Sequence, residues 1–249
     1  MSYRSHRTAL VAAIGLALAL AAALPVRAGP LYAATDHSDE DHSFENHSNE
    51  TLDWIILANS NLEATNFRYT SLRNAVLTDA FLLDAVLNFT DLTNANFTNA
   101  NLTNALIRDA VAVNTIFSSA LMTSADLRRT TFTNAIFDGA TLTGSDMRDA
   151  SLVGASLINA DLSNSDLRDT DLSGSYLLGA DLRGIHESAA TDFLGAYYDA
   201  FTLFDTGFDT TGMIFVPEPR PAGLLFTGLV VLAAQRRGQR RRADRAHAA

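Results

Sequence analysis

Three histidines near the N-terminal end are the residues whose type and spacing could do chemistry. His37, His42 and His47 recur at every fifth position, each followed by Ser, within the stretch from Asp36 to Glu50. Imidazole and carboxylate groups together can bind Zn²⁺ or Ni²⁺. A spacing of five does not align side chains on one helix face, and nothing nearby indicates a fixed scaffold. The stretch is interpreted as a solvated leader or as a degraded repeat, and we expect no metal and no cofactor.

Other catalytic groups lack the surroundings that catalysis needs. The chain has no cysteine, which excludes disulfides, thiolate nucleophiles and Cys-ligated metals. His186 and Glu187 have no nucleophile next to them in sequence. Serines and aspartates are plentiful, but their pattern places them on a water-facing surface, whereas a catalytic base needs a shielded pocket. We therefore predict a protein that is not an enzyme, without catalytic residues.

The elements that must position these residues follow from one repeat. Reading every fifth residue from Leu57 to Leu182 gives 26 positions: seventeen Leu, five Phe, two Met, one Ile and, at Ala112, one Ala. The residue two before each, from Ser60 to Ala180, is always Ala, Ser or Thr. No insertion breaks this register, and neither a helix nor a strand has a period of five.

The residue types at each position indicate how the chain is placed. A large apolar side chain at every fifth position predicts a core, and a small residue two before it predicts an inward position with little room. The remaining positions are polar. Asn or Gly shortly after the apolar residue, as at Asn104 and Gly174, favours a turn in every repeat. The backbone is therefore predicted to turn once in each repeat and wind into a narrow coil with ladder hydrogen bonds between coils.

Segments such as Ala160-Asp161-Leu162-Ser163-Asn164 resemble the pentapeptide-repeat family. The resemblance implies an all-β fold, a right-handed quadrilateral β-helix with four repeats per coil. On this basis we predict a β-helix over residues 55–184, preceded by an acidic His-containing leader (29–54) and followed by an aromatic C-terminal cap (185–215). Helical signal and tail segments are predicted to flank it.

A longer period, equal to four repeats, supports a four-sided coil. Arg108, Arg128, Arg148 and Arg168 recur with this period and would form a column on one face, a candidate surface-binding column for acidic polysaccharide. Aspartates two residues before these arginines (126, 146, 166) and one residue after them (109, 149, 169) would balance their charge, which favours a self-paired lattice. Phe97, Phe117 and Phe137 would stack inside on the same period. We also predict that the ring of Phe132 fills the space over Ala112 in the preceding coil.

The N-terminal segment is typical of a secretory signal peptide. Arg4 and Arg7 precede an apolar run from Ala9 to Leu24, and small residues follow. We predict signal-peptidase cleavage between Ala28 and Gly29, so that residues 1–28 are removed. The run is shorter than the ~20 residues of a membrane-spanning helix, although an uncleaved anchor is the alternative.

The C-terminal segment, residues 216–249, combines a polar motif, a short apolar run and a basic end. Val216, Pro217, Glu218 and Pro219 are followed by apolar residues from Ala222 to Ala234 and then by arginines. This tail closely resembles the PEP-CTERM signal of Gram-negative bacteria, which implies processing by an exosortase, a membrane protease-transpeptidase. Before this processing, the tail would hold the chain at the membrane. An ordinary, uncut tail anchor is the alternative.

The charge distribution bears on function. Between Gly29 and Val216 there are 26 acidic residues and 8 arginines, which disfavours binding to nucleic acid. We predict an exported, non-enzymatic structural or interaction protein of the cell envelope, cell surface or exopolysaccharide matrix of a Gram-negative bacterium. The alternative, implied by some members of the family, is an acidic rod that mimics duplex DNA and inhibits topoisomerases.

Overall fold

The computed structural model describes residues 35–217, and these residues contain no helix. The chain winds into a coil in which parallel bridges join equivalent positions four pentapeptides apart, from Asp36↔Ile56 to Asp166↔His186. Each coil therefore has four sides. The predicted all-β, right-handed quadrilateral β-helix is confirmed, and it is continuous over 55–184.

Each side is too short for a conventional strand, so most of the pairing consists of single bridges. The two strands are β1 (Tyr197–Tyr198) and β2 (Ile214–Phe215), which pair in parallel with Tyr197 opposite Ile214 and Tyr198 opposite Phe215. They lie beyond the repeats and add a further partial turn to the C-terminal end of the coil.

A left-handed backbone conformation closes every corner. The second residue after each core position has a φ between 53° and 69°, and it is most often Asn, Asp or Gly. These residue types tolerate positive φ best, because their side chains are absent or bond locally. In most corners the amide of the inward small residue donates to the core residue's carbonyl, as from Ala75 N to Leu72 O at 3.2 Å. The frequent Asn, Asp and Gly of the repeat are therefore explained by backbone geometry.

The core is a column of apolar side chains that fills the inside of the coil. All 26 predicted core positions from Leu57 to Leu182 are buried, including Ala112. Phe97, Phe117 and Phe137 stack on one another as predicted, with ring centroids 5.1 and 5.0 Å apart. Phe132 lies edge-on to Phe117, its centroid 6.0 Å away. Phe117 belongs to the coil that contains Ala112, so the ring of Phe132 contacts that coil.

Hydroxyls at the inward small position bond to the coil beneath. The Thr170 hydroxyl donates to the carbonyl of Met147 and the Thr115 hydroxyl to that of Leu92, both at 2.8 Å. Three serines at equivalent positions differ, because their buried hydroxyls have no hydrogen-bond partner: Ser145, Ser165 and Ser175. At the inward small position, the threonine hydroxyls therefore have a hydrogen-bond partner, whereas three of the serine hydroxyls have none.

The coil extends beyond both of its predicted boundaries. On the N-terminal side, the bridges from Asp36 to Thr51 show that residues 36–54 form another coil. The coil therefore starts before the predicted boundary at residue 55, and the leader is a degraded repeat. On the C-terminal side, pairing continues through Asp171↔Asp192, Tyr176↔Tyr197 and Asp181↔Leu203, at spacings one and then two positions longer than in the repeats. Inserted residues thus disrupt the sequence register while the ladder of hydrogen bonds continues.

Several predicted features lie outside the described residues. These are the signal peptide with its cleavage site at Ala28 and Gly29, the helical flanking segments, and Glu218 and Pro219 of the sorting motif. Val216 and Pro217 are the last described residues, and the Val216 amide donates to Tyr198 O at 2.7 Å. Across residues 35–217 there is no helix long and apolar enough to cross a membrane.

Candidate functional site

The predicted arginine column forms an alternating ladder of charge. Asp126 lies between Arg108 and Arg128, with guanidinium nitrogens 2.5 and 2.8 Å from Oδ2. Arg148 contacts Asp146 at 2.7 Å. In the next coil, Arg168 contacts Asp166 at 2.6 Å. Longer contacts of 3.4 and 3.6 Å join successive rungs, from Arg128 to Asp146 and from Arg148 to Asp166. We call this set, from Arg108 to Arg168, the Asp–Arg ladder.

The aspartates and arginines of the ladder stabilise each other's charged forms. Burial raises the pKa of Asp126, but hydrogen bonds from Arg128 and Arg108 outweigh it and leave that pKa below its usual value. A hydrogen bond from Arg168 likewise lowers the pKa of Asp166. The guanidinium donors of the column that was predicted to bind a ligand are therefore bonded to carboxylates of the same chain.

The second set of aspartates pairs elsewhere. Asp109 forms a two-pronged pair with Arg129, at 2.7 and 2.8 Å, in the neighbouring corner column. Asp169 accepts a hydrogen bond from the Ser188 hydroxyl at 2.8 Å. Asp109 and Asp169 therefore form their direct contacts outside the arginine column, although the charges of Arg108 and Arg128 still help to lower the pKa of Asp109.

A small aromatic cluster lies on the surface where the arginine column begins. The rings of Tyr69 and Phe89 stack at 4.8 Å, and both side chains are exposed. The Arg68 guanidinium lies over both rings, 5.2 and 5.4 Å from their centroids. The repeat pattern did not predict this cluster, because all three residues occupy turn positions where it constrains side chains least. Arg68 and Phe89 belong to successive coils, and the winding of the chain brings them together.

The first coil carries an array of histidines and glutamates. His37, His42 and His47 occupy the inward positions that hold Leu57, Leu62 and Phe67 one coil later. Glutamates at 40, 45 and 50 occupy the positions that hold small residues in the repeats. The imidazoles and carboxylates alternate, with nitrogen–oxygen distances of 2.8–3.1 Å. A fixed scaffold therefore exists where the sequence indicated none.

The array is anchored on one side by the next coil. The ring of His47 stacks on Phe67 with centroids 5.6 Å apart. Hydrogen bonding to His37 lowers the pKa of Glu40, and hydrogen bonding to His42 lowers that of Glu45. A cavity of about 130 Å³ opens between the three histidines and apolar side chains of the second coil. We call this the His–Glu coil.

Comparison with protein families decides what kind of coil this is. The family model for pentapeptide repeats matches eight copies over overlapping segments of residues 55–186. The chain belongs to the pentapeptide-repeat family. No curated protein sequence matched it.

Solved pentapeptide-repeat structures resemble the chain only in part. HetL, involved in heterocyst differentiation regulation in the cyanobacterium Nostoc, is 20% identical, with 65% of this chain and 88% of HetL covered and a TM-score of 0.33. A thylakoid lumen protein of Arabidopsis thaliana is 29% identical, with coverages of 45% and 68% and a TM-score of 0.30. Trypsin-treated QnrB1, a plasmid-mediated fluoroquinolone resistance protein, is 18% identical, with coverages of 79% and 97% and a TM-score of 0.40. The repeats themselves, rather than these superpositions, define the family.

The pentapeptide-repeat coil separates the predicted candidate residues. The four column arginines lie together in the Asp–Arg ladder, whereas the histidines of the first coil lie at the opposite end from Val216. His186 is drawn into the ladder of bridges opposite Asp166. It is therefore part of the coil.

Proposed function

We propose that the protein is an exported, non-enzymatic scaffold or interaction protein of the cell envelope or extracellular matrix, processed at both ends. The observation that carries this is a rigid coil whose repeat core is filled from Leu57 to Leu182 and whose arginine face is internally paired. A filled core leaves binding to the outer surface and to the ends of the coil.

The coil interior supports a non-enzymatic role. From Leu57 to Leu182 every core position is occupied by a buried side chain, so the repeats provide no internal cleft where a titrating group could be shielded. Within the repeats, most side chains that could act as acids or bases lie on water-facing positions, and those of the Asp–Arg ladder are held in pairs. Such a surface suits recognition or assembly.

The terminal segments of the sequence support export. A basic start with an apolar run precedes Ala28, and the Val216-Pro217-Glu218-Pro219 tail ends in arginines. In this proposal signal peptidase removes the first segment, and an exosortase-type enzyme acts at the second while the tail holds the chain at the membrane. The absence of cysteine is compatible with an exported rod, because ladder hydrogen bonds supply the rigidity that disulfides give other exported domains.

The proposal is tested by intact-mass analysis of the chain in membrane, envelope and extracellular fractions. The expected product runs from about Gly29 to Val216, with 26 acidic residues and 8 arginines and hence a net charge near −18. The control is the double variant Pro217→Ala/Glu218→Ala, which should stay at the inner membrane with its tail. Released wild-type protein with an intact tail, or normal release of the double variant, would contradict processing at this motif.

A second candidate function, mimicry of duplex DNA, is favoured by the acidic balance of the same stretch. Against it, the Asp–Arg ladder neutralises one face, where a phosphate-like surface needs unpaired carboxylates. The discriminating measurement is inhibition of a purified type II topoisomerase by the chain, together with its location. Inhibition by a chain that stays in the cytoplasm would favour mimicry over the envelope role.

A further inference from the structure

The N-terminal end of the coil departs from the repeat in a way that the fold does not require. In later coils the core positions hold apolar residues, mostly Leu or Phe, and the small positions two residues earlier hold Ala, Ser or Thr from Ser60 onward. In the first coil the core positions hold His37, His42 and His47, and the small positions hold glutamate (40, 45, 50). Ionisable groups have thus replaced three consecutive core residues and three consecutive small residues. Charge at inward positions needs partners, which here come from the array itself.

The backbone under this array is fixed by the second coil. The amides of His37, His42 and His47 donate to carbonyls of the next coil at 2.8–2.9 Å. In return, hydroxyls of the second coil donate to the three histidine carbonyls, as from Thr65 to His42 at 2.8 Å. Each imidazole is therefore presented from a backbone bonded on both its amide and its carbonyl.

One nitrogen in the array lacks a hydrogen bond. Nε2 of His42 is buried and has no hydrogen-bond partner, although it lies 3.1 Å from Glu40 Oε2. The same carboxylate oxygen lies 2.8 Å from Nδ1 of His37. Three donor atoms, two nitrogens and one oxygen, thus converge around a point next to Glu40. The other nitrogen of His42, Nδ1, lies 2.9 Å from Glu45 Oε2.

We propose that His37 Nδ1, Glu40 Oε2 and His42 Nε2 bind one divalent transition-metal ion of the zinc class at the N-terminal end of the coil. Two imidazoles and one carboxylate are a ligand set that Zn²⁺ accepts, with a fourth position for water. Metal–ligand bonds of about 2.0–2.1 Å in a tetrahedron place donor atoms about 3.3 Å apart. The two nitrogen–oxygen separations, 2.8 and 3.1 Å, reach that value by shifts of a few tenths of an ångström, and all three donor atoms already lie within 4.8 Å of one another.

Glu45 orients one of the proposed metal ligands, His42, without binding the metal itself. A metal-binding histidine commonly donates its second ring N–H to a carboxylate, which fixes the ring and raises its basicity. The contact from His42 Nδ1 to Glu45 has this arrangement. A second group of donors, His42, Glu45 and His47, also converges within 4.8 Å. Because it shares His42, and a neutral imidazole has one lone pair, one ion per chain follows.

The test is calorimetric titration of Zn²⁺ alone into the chelator-treated full chain, made without a polyhistidine tag. One ion per chain is expected. His42→Leu introduces the residue that Leu62 supplies at the same position one coil later, so it should fold with an unchanged circular dichroism spectrum and lose Zn²⁺ affinity by about 100-fold or more. Glu40→Gln, which keeps the shape of the side chain, should weaken binding about tenfold or more.

His47→Leu is the matched control, since it makes the same change one side further on and outside the proposed ligands. Its Zn²⁺ affinity should stay within about threefold of wild type. The proposal is overturned if wild type binds no Zn²⁺, if it binds two ions, if His42→Leu binds as wild type does, or if His47→Leu weakens binding as much as His42→Leu.

Discussion

The inward hydroxyls provide a test in which the same chemical change has opposite effects at equivalent positions. Ser165 and Thr170 occupy the same place in consecutive repeats, and both are fully buried. The Ser165 hydroxyl has no partner, whereas the Thr170 hydroxyl donates to Met147 O at 2.8 Å. Removing the first hydroxyl should stabilise the coil, and removing the second should destabilise it.

The magnitudes follow from what each hydroxyl does. An unsatisfied buried hydroxyl costs about 1–3 kcal/mol of desolvation, so Ser165→Ala should raise the free energy of unfolding by about 1 kcal/mol. Alanine already fills this position in many repeats, so no strain follows. Thr170→Val keeps the shape and loses one hydrogen bond. Because Met147 O also accepts from the Ala150 amide at 3.0 Å, the loss should be at the lower end, about 1 kcal/mol.

The assay is urea unfolding of the full chain at constant pH, followed by circular dichroism. Ser145→Ala and Ser175→Ala repeat the first measurement at the other unpartnered serines, and Thr115→Val repeats the second. If Ser165→Ala and Thr170→Val changed the unfolding free energy in the same direction, the assignment of satisfied and unsatisfied hydroxyls would be refuted.

Three further predictions concern the core and buried carboxylates. Phe132→Leu should lower the free energy of unfolding by about 2 kcal/mol because it leaves a void, and Ala112→Leu should lower it by about 2 kcal/mol because it overpacks the core. In a double-mutant cycle the double variant should regain most of this loss, whereas additive losses would show that the ring of Phe132 does not fill the space over Ala112. Burial raises the pKa of Asp138. Its ionisation therefore opposes folding. In urea titrations at several pH values, the stability of Asp138→Asn relative to wild type should rise as the pH increases above 3.8 through the raised value, and it should not vary with pH well below 3.8. Asp126→Asn should cost about 1–2 kcal/mol at pH 7 by the same assay, because two guanidinium groups lose their carboxylate; an unchanged midpoint would show that the ladder adds no stability.

The sequence predicted the coil from Leu57 to Leu182 because a large apolar residue recurs there at every fifth position except Ala112, with no break in register. It left the first coil open, as a degraded repeat or a solvated leader, because a search for large apolar residues passes over His37 and His42, although they lie in the same register. The signal that could have found this coil is the corner position, where Asp39 and Asn49 are types that tolerate positive φ. Backbone geometry persists there after the core chemistry has changed.

The C-terminal continuation and the surface pairs could not be predicted in the same way. After His186 the bridge spacing lengthens by one residue and later by another, which hides the period while leaving the hydrogen bonds in place. The choice between Asp126 and Asp109 as partners for the arginine column depends on side-chain direction at a corner. The longer period shows which residues share a face, and it does not show which rotamers meet.

The constant spacing of the bridges also determines how the molecule assembles. Every contact between coils closes a loop of nearly the same length, however long the chain, so the closure entropy of each added coil is nearly the same. Nucleation can occur at any coil, and propagation proceeds to both ends by nearest-neighbour steps. Deleting four consecutive pentapeptides would remove one step and leave the remaining faces aligned. Deleting a single pentapeptide would rotate everything after the deletion by a quarter turn, and such a deletion between Arg128 and Asp146 would cut the Asp–Arg ladder into halves on adjacent faces.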